Sequence, residues 1–224
     1  MIGLLLASIA RIATGVLINL VAMPFVHAGG TIQFKNFVSQ LHSADGEFVQ
    51  HQIKATDGSA SQELRQPVRT SMSTSSGTFQ FIRPGKFIWA YQKPYKQLLH
   101  SDGHTLYIWD KDLNQVITLS LSNALGTSPA AILFGSDKLE KNFSLHDTGV
   151  KQSCDWLKLI PKEKNTQFEY IDIGFQDGNL KMMELHDVFG NITLLSFSNI
   201  HKNPELSADT FKFLMPQGVD IINN

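Results

Sequence analysis

Residues 77–91, Gly-Thr-Phe-Gln-Phe-Ile-Arg-Pro-Gly-Lys-Phe-Ile-Trp-Ala-Tyr, constrain this chain more than any other stretch. They read as a strand, a tight turn and a returning strand. Side chains two apart on a strand share a face. Phe79, Phe81 and Arg83 therefore fall on one side of the first strand, and Phe87, Trp89 and Tyr91 on one side of the second. Pro84-Gly85 is the turn: proline presets φ at the first corner, and glycine accepts positive φ at the next. If the two aromatic faces coincide, the hairpin has one apolar side with a single arginine at its end. A guanidinium has five donors and is not left among rings without acceptors. On spacing alone the stripe is core, and Arg83 curls out at the turn with its stem on the rings. Whether it does more depends on the rest of the chain.

At 224 residues the chain allows one domain or two small ones. Its formal net charge is -1, so no basic field exists to attract nucleic acid or anionic lipid. A single cysteine, Cys154, excludes an intrachain disulfide framework and a cysteine-based zinc site. With Asp155 and Trp156 after it in a strand-like stretch, Cys154 reads as a packing residue rather than a nucleophile.

Residues 1–28 read as an export signal. They are apolar with one charge at Arg11, the main apolar run ends at Phe25 after Pro24, and Val26-His27-Ala28 places small residues where a signal peptidase reads. Cleavage is expected after Ala28, leaving 29–224 as one domain; an uncleaved anchor is the alternative, because residues 1–10 are apolar too. No cysteine follows the apolar run, so a soluble mature protein without a lipid anchor is expected.

Residues 31–44 carry Phe34, Phe37, Val38 and Leu41 at helical spacing, and Asp45-Gly46 is the expected stop. Residues 47–54 alternate as a half-exposed strand closed by Asp57-Gly58. The polar stretch 59–76 is either a ragged edge strand or a long loop. After the central hairpin come strands at 97–101, 105–110 and 114–121. A helical insertion interrupts them: Ser128 caps, Pro129 opens, Ala130 to Phe134 form a short apolar helix, and Gly135 stops it. A second short turn is expected at 137–142, with Leu139 and Phe143 on one side. Strands resume at 153–160, 168–175, 180–187 and 192–200, with Phe211, Phe213 and Met215 alternating in a last one. The expectation is a mainly β protein of ten or eleven antiparallel strands, an N-terminal helix and a small helical insertion.

Little here suggests catalysis. His100, Asp102 and His104 cluster around a turn, which reads as a polar turn in solvent, and His186 and Asp187 point to opposite faces of a strand. No nucleophile elbow, zinc-protease motif or phosphate-binding glycine loop is present. No enzyme activity, cofactor or metal is expected.

The order of elements and several motifs resemble the periplasmic outer-membrane lipoprotein carrier family, LolA. The resemblance rests on Gly77-Thr78-Phe79 to Arg83-Pro84-Gly85-Lys86-Phe87-Ile88-Trp89, on Ser101-Asp102-Gly103 before Leu106-Tyr107-Ile108-Trp109, on Thr127-Ser128-Pro129, and on Pro216-Gln217-Gly218-Val219. It covers essentially the whole mature chain; the polar stretch 62–76 is the expected departure. It implies an incomplete, strongly curved antiparallel β half-barrel whose concave face is covered by a helical lid. It further implies a periplasmic chaperone that shields lipoprotein acyl chains in an apolar cavity. The partners implied are an inner-membrane lipoprotein-releasing ABC transporter complex as donor and an outer-membrane receptor, with the carrier acting as a monomer. The wall candidates are Phe79, Phe81, Phe87, Trp89 and Tyr91, with Leu106 or Trp109 according to which parity faces inward. The lid candidates are Phe34, Phe37 and Leu41 of the first helix and Ile132, Leu133 and Phe134 of the insertion. Arg83 falls on the family's arginine, which ties sheet to lid through lid backbone carbonyls. The rival readings are the anchored receptor of the same fold, which would need an N-terminal lipidation cysteine, an exported enzyme or binding protein, and a sensor domain.

Overall fold

The structure, a computed structural model, describes residues 29–54, 71–124, 128–135, 139–164 and 166–223. The expected export signal, the Asp57-Gly58 turn, the polar residues 59–70, Thr127 and the start of the short turn at Ser136-Asp137 lie outside these.

Helix α1 (Gly30–Gln40) opens the described chain and is followed by β1 (Ser43–Lys54), β2 (Ser71–Ile82), β3 (Lys86–Lys93), β4 (Gln97–Asp102), β5 (Thr105–Asp110) and β6 (Gln115–Ser120). The helical insertion comprises α2 (Leu121–Ala124), α3 (Pro129–Phe134) and a 3₁₀ turn (Leu139–Lys141). Then come β7 (Phe143–Lys151), β8 (Cys154–Pro161), β9 (Phe168–Gln176), β10 (Asn179–Asp187), β11 (Ile192–Lys202), a second 3₁₀ turn (Ala208–Phe211) and β12 (Asp220–Asn223). The twelve strands of the described residues form one sheet, ordered β12-β6-β5-β4-β3-β2-β1-β11-β10-β9-β8-β7. The two halves of the meander join where β1 pairs with β11. The sheet is open and curved, and its apolar inner face holds a single core cluster fed by both halves and by α1 and α3.

Four local expectations are corrected. The first helix ends at Gln40, not Ala44. Asn203 intervenes there: its side chain donates to the Gln40 carbonyl at 3.1 Å and accepts from the His42 N–H at 2.8 Å. Asp45-Gly46, expected as the helix stop, instead lies inside β1 at a bulge. Gly46 is needed because a Cβ would stand 2.7 Å from the Phe79 ring. Residues Ser71 to Ser76 are neither loop nor edge: they extend β2 in full register with β1, from Ser71 opposite Lys54. Strand β7 was not legible, since most of it is exposed and its pairing is bulged between Asp147 and Gly149. An edge strand with no buried face shows no alternation.

The fourth correction concerns the C-terminus. Phe211, Phe213 and Met215 do not form a strand. Phe211 closes the second 3₁₀ turn, which packs on β3 and β4, and the Phe213 ring stacks on Tyr107 at 4.4 Å and meets His100 edge-on at 5.3 Å. The alternating aromatics serve contact with the outer face of the sheet rather than a ladder. The final strand is β12, added parallel to β6.

Candidate functional site

The inner face of β2 and β3 is built as its alternation dictates. Phe79 pairs with Trp89 and Phe81 with Phe87 across the two strands, and all four are buried. The turn is a three-residue loop closed by the Ile82–Lys86 pair, with Gly85 at φ +73° and the Arg83–Pro84 peptide cis. Arg83 therefore belongs to the loop rather than the strand face. Two further rings complete the floor: Phe48 of β1 stacks on Trp89 at 3.9 Å, and Phe197 of β11 meets Phe79 edge-on at 5.9 Å. Neither was a sequence candidate. Phe48 shares its parity with Gln50 and Gln52 in a strand of half-exposed composition, so one-strand patterning hid it.

Helix α3 closes this floor. The Ser128 side chain accepts from Ala131 N at 3.5 Å, Pro129 occupies the first turn, and Gly135 N–H returns to Ala131 O at 2.8 Å. Residues Ala130 to Phe134 are buried on every side, as expected of a short helix apolar all round. Phe134 is the plug. Its ring lies 4.3 Å from Phe81, 5.4 Å from Phe79 and 6.3 Å from both Phe87 and Trp89. Ile132 and Leu133 are buried beside it.

Helix α1 covers the other half, packed across β7, β8 and β9. Its N-cap, Gly29, has no side chain to offer, and the Asp147 carboxylate of β7 accepts from Thr31 N at 2.7 Å instead. An anion there also suits the positive end of the helix. Gln33 donates to Asp155 and accepts from Gly178 N. Phe34 and Phe37 meet Phe175 at 6.3 Å and 5.7 Å, and Leu41 is buried at the C-cap.

Arg83 joins the two covers. Its Nε donates to the carbonyl of Leu41 at the end of α1, at 3.2 Å, and its Nη2 to that of Leu133 in the last turn of α3, at 3.0 Å. Both acceptors sit at helix C-termini, where carbonyls lack intrahelical partners and carry the negative end of the dipole. The guanidinium also stands 5.2 Å from the Phe81 ring centroid and 5.6 Å from that of Phe37. Arg83 thus does not snorkel to solvent, as spacing alone allowed; its donors turn onto the covers.

At the far end of β1 the concave face opens into a cavity of about 360 Å³ lined by Gln50, Gln52, Tyr91, Phe168, Leu185 and Asp187, with Pro129 of α3 on its edge. Tyr91 is half-buried: its ring touches Phe48 edge-on at 5.2 Å and its hydroxyl donates to Gln50 Oε1 at 2.9 Å. Burial pushes this phenol up to about 12, so it stays protonated.

The parity left open in β5 resolves in favour of Leu106, which is fully buried in the inner cluster. Trp109 is corrected: it shares its face with Tyr107, opposite Leu98 and Val116, and Lys111 lies 4.6 Å over its ring. The His100-Asp102-His104 turn is only partly the solvent feature expected. Asp102 accepts from His104 N and Thr105 N at 2.9 Å each, and these bonds, against the upward push of burial, lower its pKa. His100 is buried under Phe213, and burial lowers its pKa. His186 and Asp187 do diverge. Asp187 caps the β10–β11 turn, while His186 stacks on Tyr170 at 4.2 Å and nears Glu184 at 3.7 Å. Asp172 is beside them, 3.6 Å from Lys158 Nζ, which itself lies over Tyr170 at 3.4 Å. A lysine ammonium thus already stands against this carboxylate group, and the cluster reads as an outer-face ion network.

The inward rings of β2 and β3 are thus covered by α3, and one arginine ties that helix to the sheet. Residues 51–214 match the model of the outer membrane lipoprotein carrier protein LolA. An outer-membrane lipoprotein carrier protein of Cupriavidus pinatubonensis is 52% identical over 200 residues, covering 89% of this chain and 90% of its own. That of Neisseria meningitidis serogroup B is 40% identical over 204 residues, covering 91% and 92%. A solved LolA superfamily protein from Nitrosomonas europaea superposes over 81% of this chain and 94% of its own, with 12% identity and a TM-score of 0.46. By its match over most of its length and its identity to these relatives, the chain belongs to the LolA family of outer-membrane lipoprotein carrier proteins.

Proposed function

We propose that this protein is a carrier of lipid-modified proteins, holding their acyl chains against the concave aromatic face while they cross an aqueous compartment. The observation that carries the reading is Phe134: an apolar ring on a short helix fills the floor formed by Phe79, Phe81, Phe87 and Trp89, and Arg83 holds that helix down. In the closed form the protein is its own ligand. Each methylene of an acyl chain buried in place of that ring is worth about 0.8 kcal/mol of transfer free energy. A chain of ordinary lipid length thus more than offsets the loss of one phenyl contact and one hydrogen bond. Loading then means that α3 swings out, Arg83 releases the Leu133 carbonyl, and chains take the place of Phe134. Release reverses each step, and re-formation of the Arg83 bonds favours the empty, closed form.

The working place is the periplasm, reached through a leader ending at Ala28 that is removed on export. The donor is an inner-membrane lipoprotein-releasing ABC transporter complex, the recipient an outer-membrane receptor, and the carrier acts as a monomer. Shielding needs no chemical step and no cofactor.

The test uses spheroplasts of the host that display newly made outer-membrane lipoprotein, mixed with purified protein beginning at Gly29. The expected outcome is lipoprotein in the supernatant as a one-to-one soluble complex. Lipoprotein that stays on the membrane, with folded protein and a homologous donor present, would overturn the reading.

A further inference from the structure

A guanidinium that holds a helix over the aromatic trough needs an acceptor that stays still. Helix α1 ends at Gln40 and β1 begins at Ser43, so the peptide unit between Leu41 and His42 belongs to neither ladder. Leu41 itself is extended, at φ −101° and ψ 95°. In a trans peptide the carbonyl and the following N–H share a plane and point opposite ways. Side chains remote in sequence take the two sides of this unit. On one side Arg83 Nε donates to the Leu41 carbonyl at 3.2 Å. On the other the His42 N–H donates to Asn203 Oδ1 at 2.8 Å. A single peptide unit thus stands edge-on between Asn203 and Arg83.

Asn203 is built into this junction. Its Oδ1 also accepts from Ser43 N at 3.3 Å, its Nδ2 donates to the Gln40 carbonyl at 3.1 Å, and its own N–H donates to the Ser43 carbonyl at 2.8 Å. A carboxamide suits the place because it carries an acceptor and a donor on one flat group. The backbone at Asn203 has φ +53°, a conformation that Asn tolerates better than most residues. Packing does not do this work on every side. A cavity of about 260 Å³ lies between the last turn of α1, the Asp177-Gly178 turn and Asn203, so the helix end is not packed down there. Arg83 starts from an equally fixed loop: its N–H donates to the His42 carbonyl at 2.8 Å, and Ser101 Oγ donates to the Gly85 carbonyl at 2.7 Å.

Resting on the carrier reading above, we propose that Asn203 is a positioning residue for the lid: it sets the direction of the Leu41 carbonyl and, through that peptide unit, the aim of the Arg83 fork at α3. With the carbonyl fixed, Nε is committed and the rigid guanidinium presents Nη2 to Leu133, 3.0 Å away. Without Asn203 the Leu41–His42 unit is free to turn, the carbonyl leaves Nε, and the fork must be ordered afresh each time α3 closes. Hydrogen bonds in a chain also polarise one another, so an acceptor whose own N–H is engaged holds Arg83 more strongly. Asn203 and Leu41 form the fixed jaw, and Leu133 is the moving one.

The test is amide exchange on the purified protein beginning at Gly29, without cargo. Asn203→Gly keeps the positive φ and removes the side chain. It should speed exchange in residues 131–134 about fivefold. In an Arg83→Leu background the same change should add less than about 1.5-fold, because the hold it acts through is gone. Asn203→Asp keeps the oxygen that accepts from His42 N and should stay within about twofold of the unaltered protein. Unchanged exchange in α3 with Asn203→Gly would overturn the proposal. So would an equal speed-up in both backgrounds, the mark of a residue that only braces the fold, or a speed-up as large with Asp as with Gly. Coupling is reciprocal, so Arg83→Leu should also speed exchange of the His42 amide by about the same fivefold. That measurement leaves Asn203 in place and decides the matter if Asn203→Gly does not fold: an unchanged His42 amide would overturn the proposal. These readouts involve no lipid. Failure of the unaltered protein to release lipoprotein from spheroplasts would remove the carrier reading, while exchange alone judges whether Asn203 positions Arg83.

Discussion

Arg83 touches two helix ends that are far apart in sequence, Leu41 and Leu133. Charge-assisted bonds of this kind contribute about 1.5–3 kcal/mol each. Arg83→Leu keeps an apolar stem on Phe81 but removes both, so the closed form loses much of its advantage over the open one. The expected variant folds, accepts lipoprotein and transfers it to receptor-bearing membranes at least about tenfold more slowly. Transfer at the unaltered rate would sink the latch. Arg83→Lys should fall between the two, because a point-like ammonium cannot match a fork aimed at two carbonyls. His100 carries a second residue-scale prediction. Burial under the C-terminal segment lowers its pKa below the ordinary value, so the folded state favours the neutral ring. Between the two pKa values the unfolded chain binds more protons, so this contribution is full above about pH 6.5 and is lost as pH falls toward the folded value. Urea titrations at stepped pH should show stability declining over that window, and a flatter profile for His100→Gln.

The two covering helices are anchored in different ways. Helix α1 is tied to the sheet by Asp147 at its start, by Gln33 bridging Asp155 and Gly178, and by Gly30, where a Cβ would stand 2.6 Å from the Trp156 carbonyl carbon. Helix α3 is six residues long and is held by the Phe134 contacts and the Arg83–Leu133 bond. A helix that short has no stability of its own in water. Amide exchange should therefore be faster in residues 131–134 than in the paired amides of β9 and β10 by orders of magnitude, reporting local opening. Arg83→Leu should speed exchange in α3 and leave β9 and β10 as they were. Equal acceleration in both would mean that Arg83 stabilises the whole fold and that α3 is no separate lid.

One sheet of twelve strands gives the molecule a rigid shell around a replaceable filling. Its inner face is covered by α1 and α3, and in the proposed mechanism that occupancy competes with ligand. Saturating an apolar dye such as N-phenyl-1-naphthylamine at about 100 times its measured dissociation constant, which already includes the cost of opening α3, should raise global stability by about 2.7 kcal/mol. Exchange in α3 should rise under the same conditions. A ligand that stabilised the protein while also protecting α3 would bind outside the trough. Much of this architecture is visible in the chain itself. Alternation in residues 79–82 and 86–90 is strong because one face of each strand is buried, and Ser128-Pro129 with Gly135 marks a helix start and stop by local chemistry. By itself the sequence determined the hairpin, the apolar insertion, the family and the singularity of Arg83, all matters of short-range pattern. Only tertiary structure decided the carbonyls that Arg83 holds, because Leu41 and Leu133 lie 42 and 50 residues away. It alone placed Phe48 and Phe197 in the floor, turned Trp109 outward, ended α1 at Asn203's reach and gave β7 and β12 their partners. Each of these depends on which strand lies beside which, and curvature of the sheet, not local propensity, sets that.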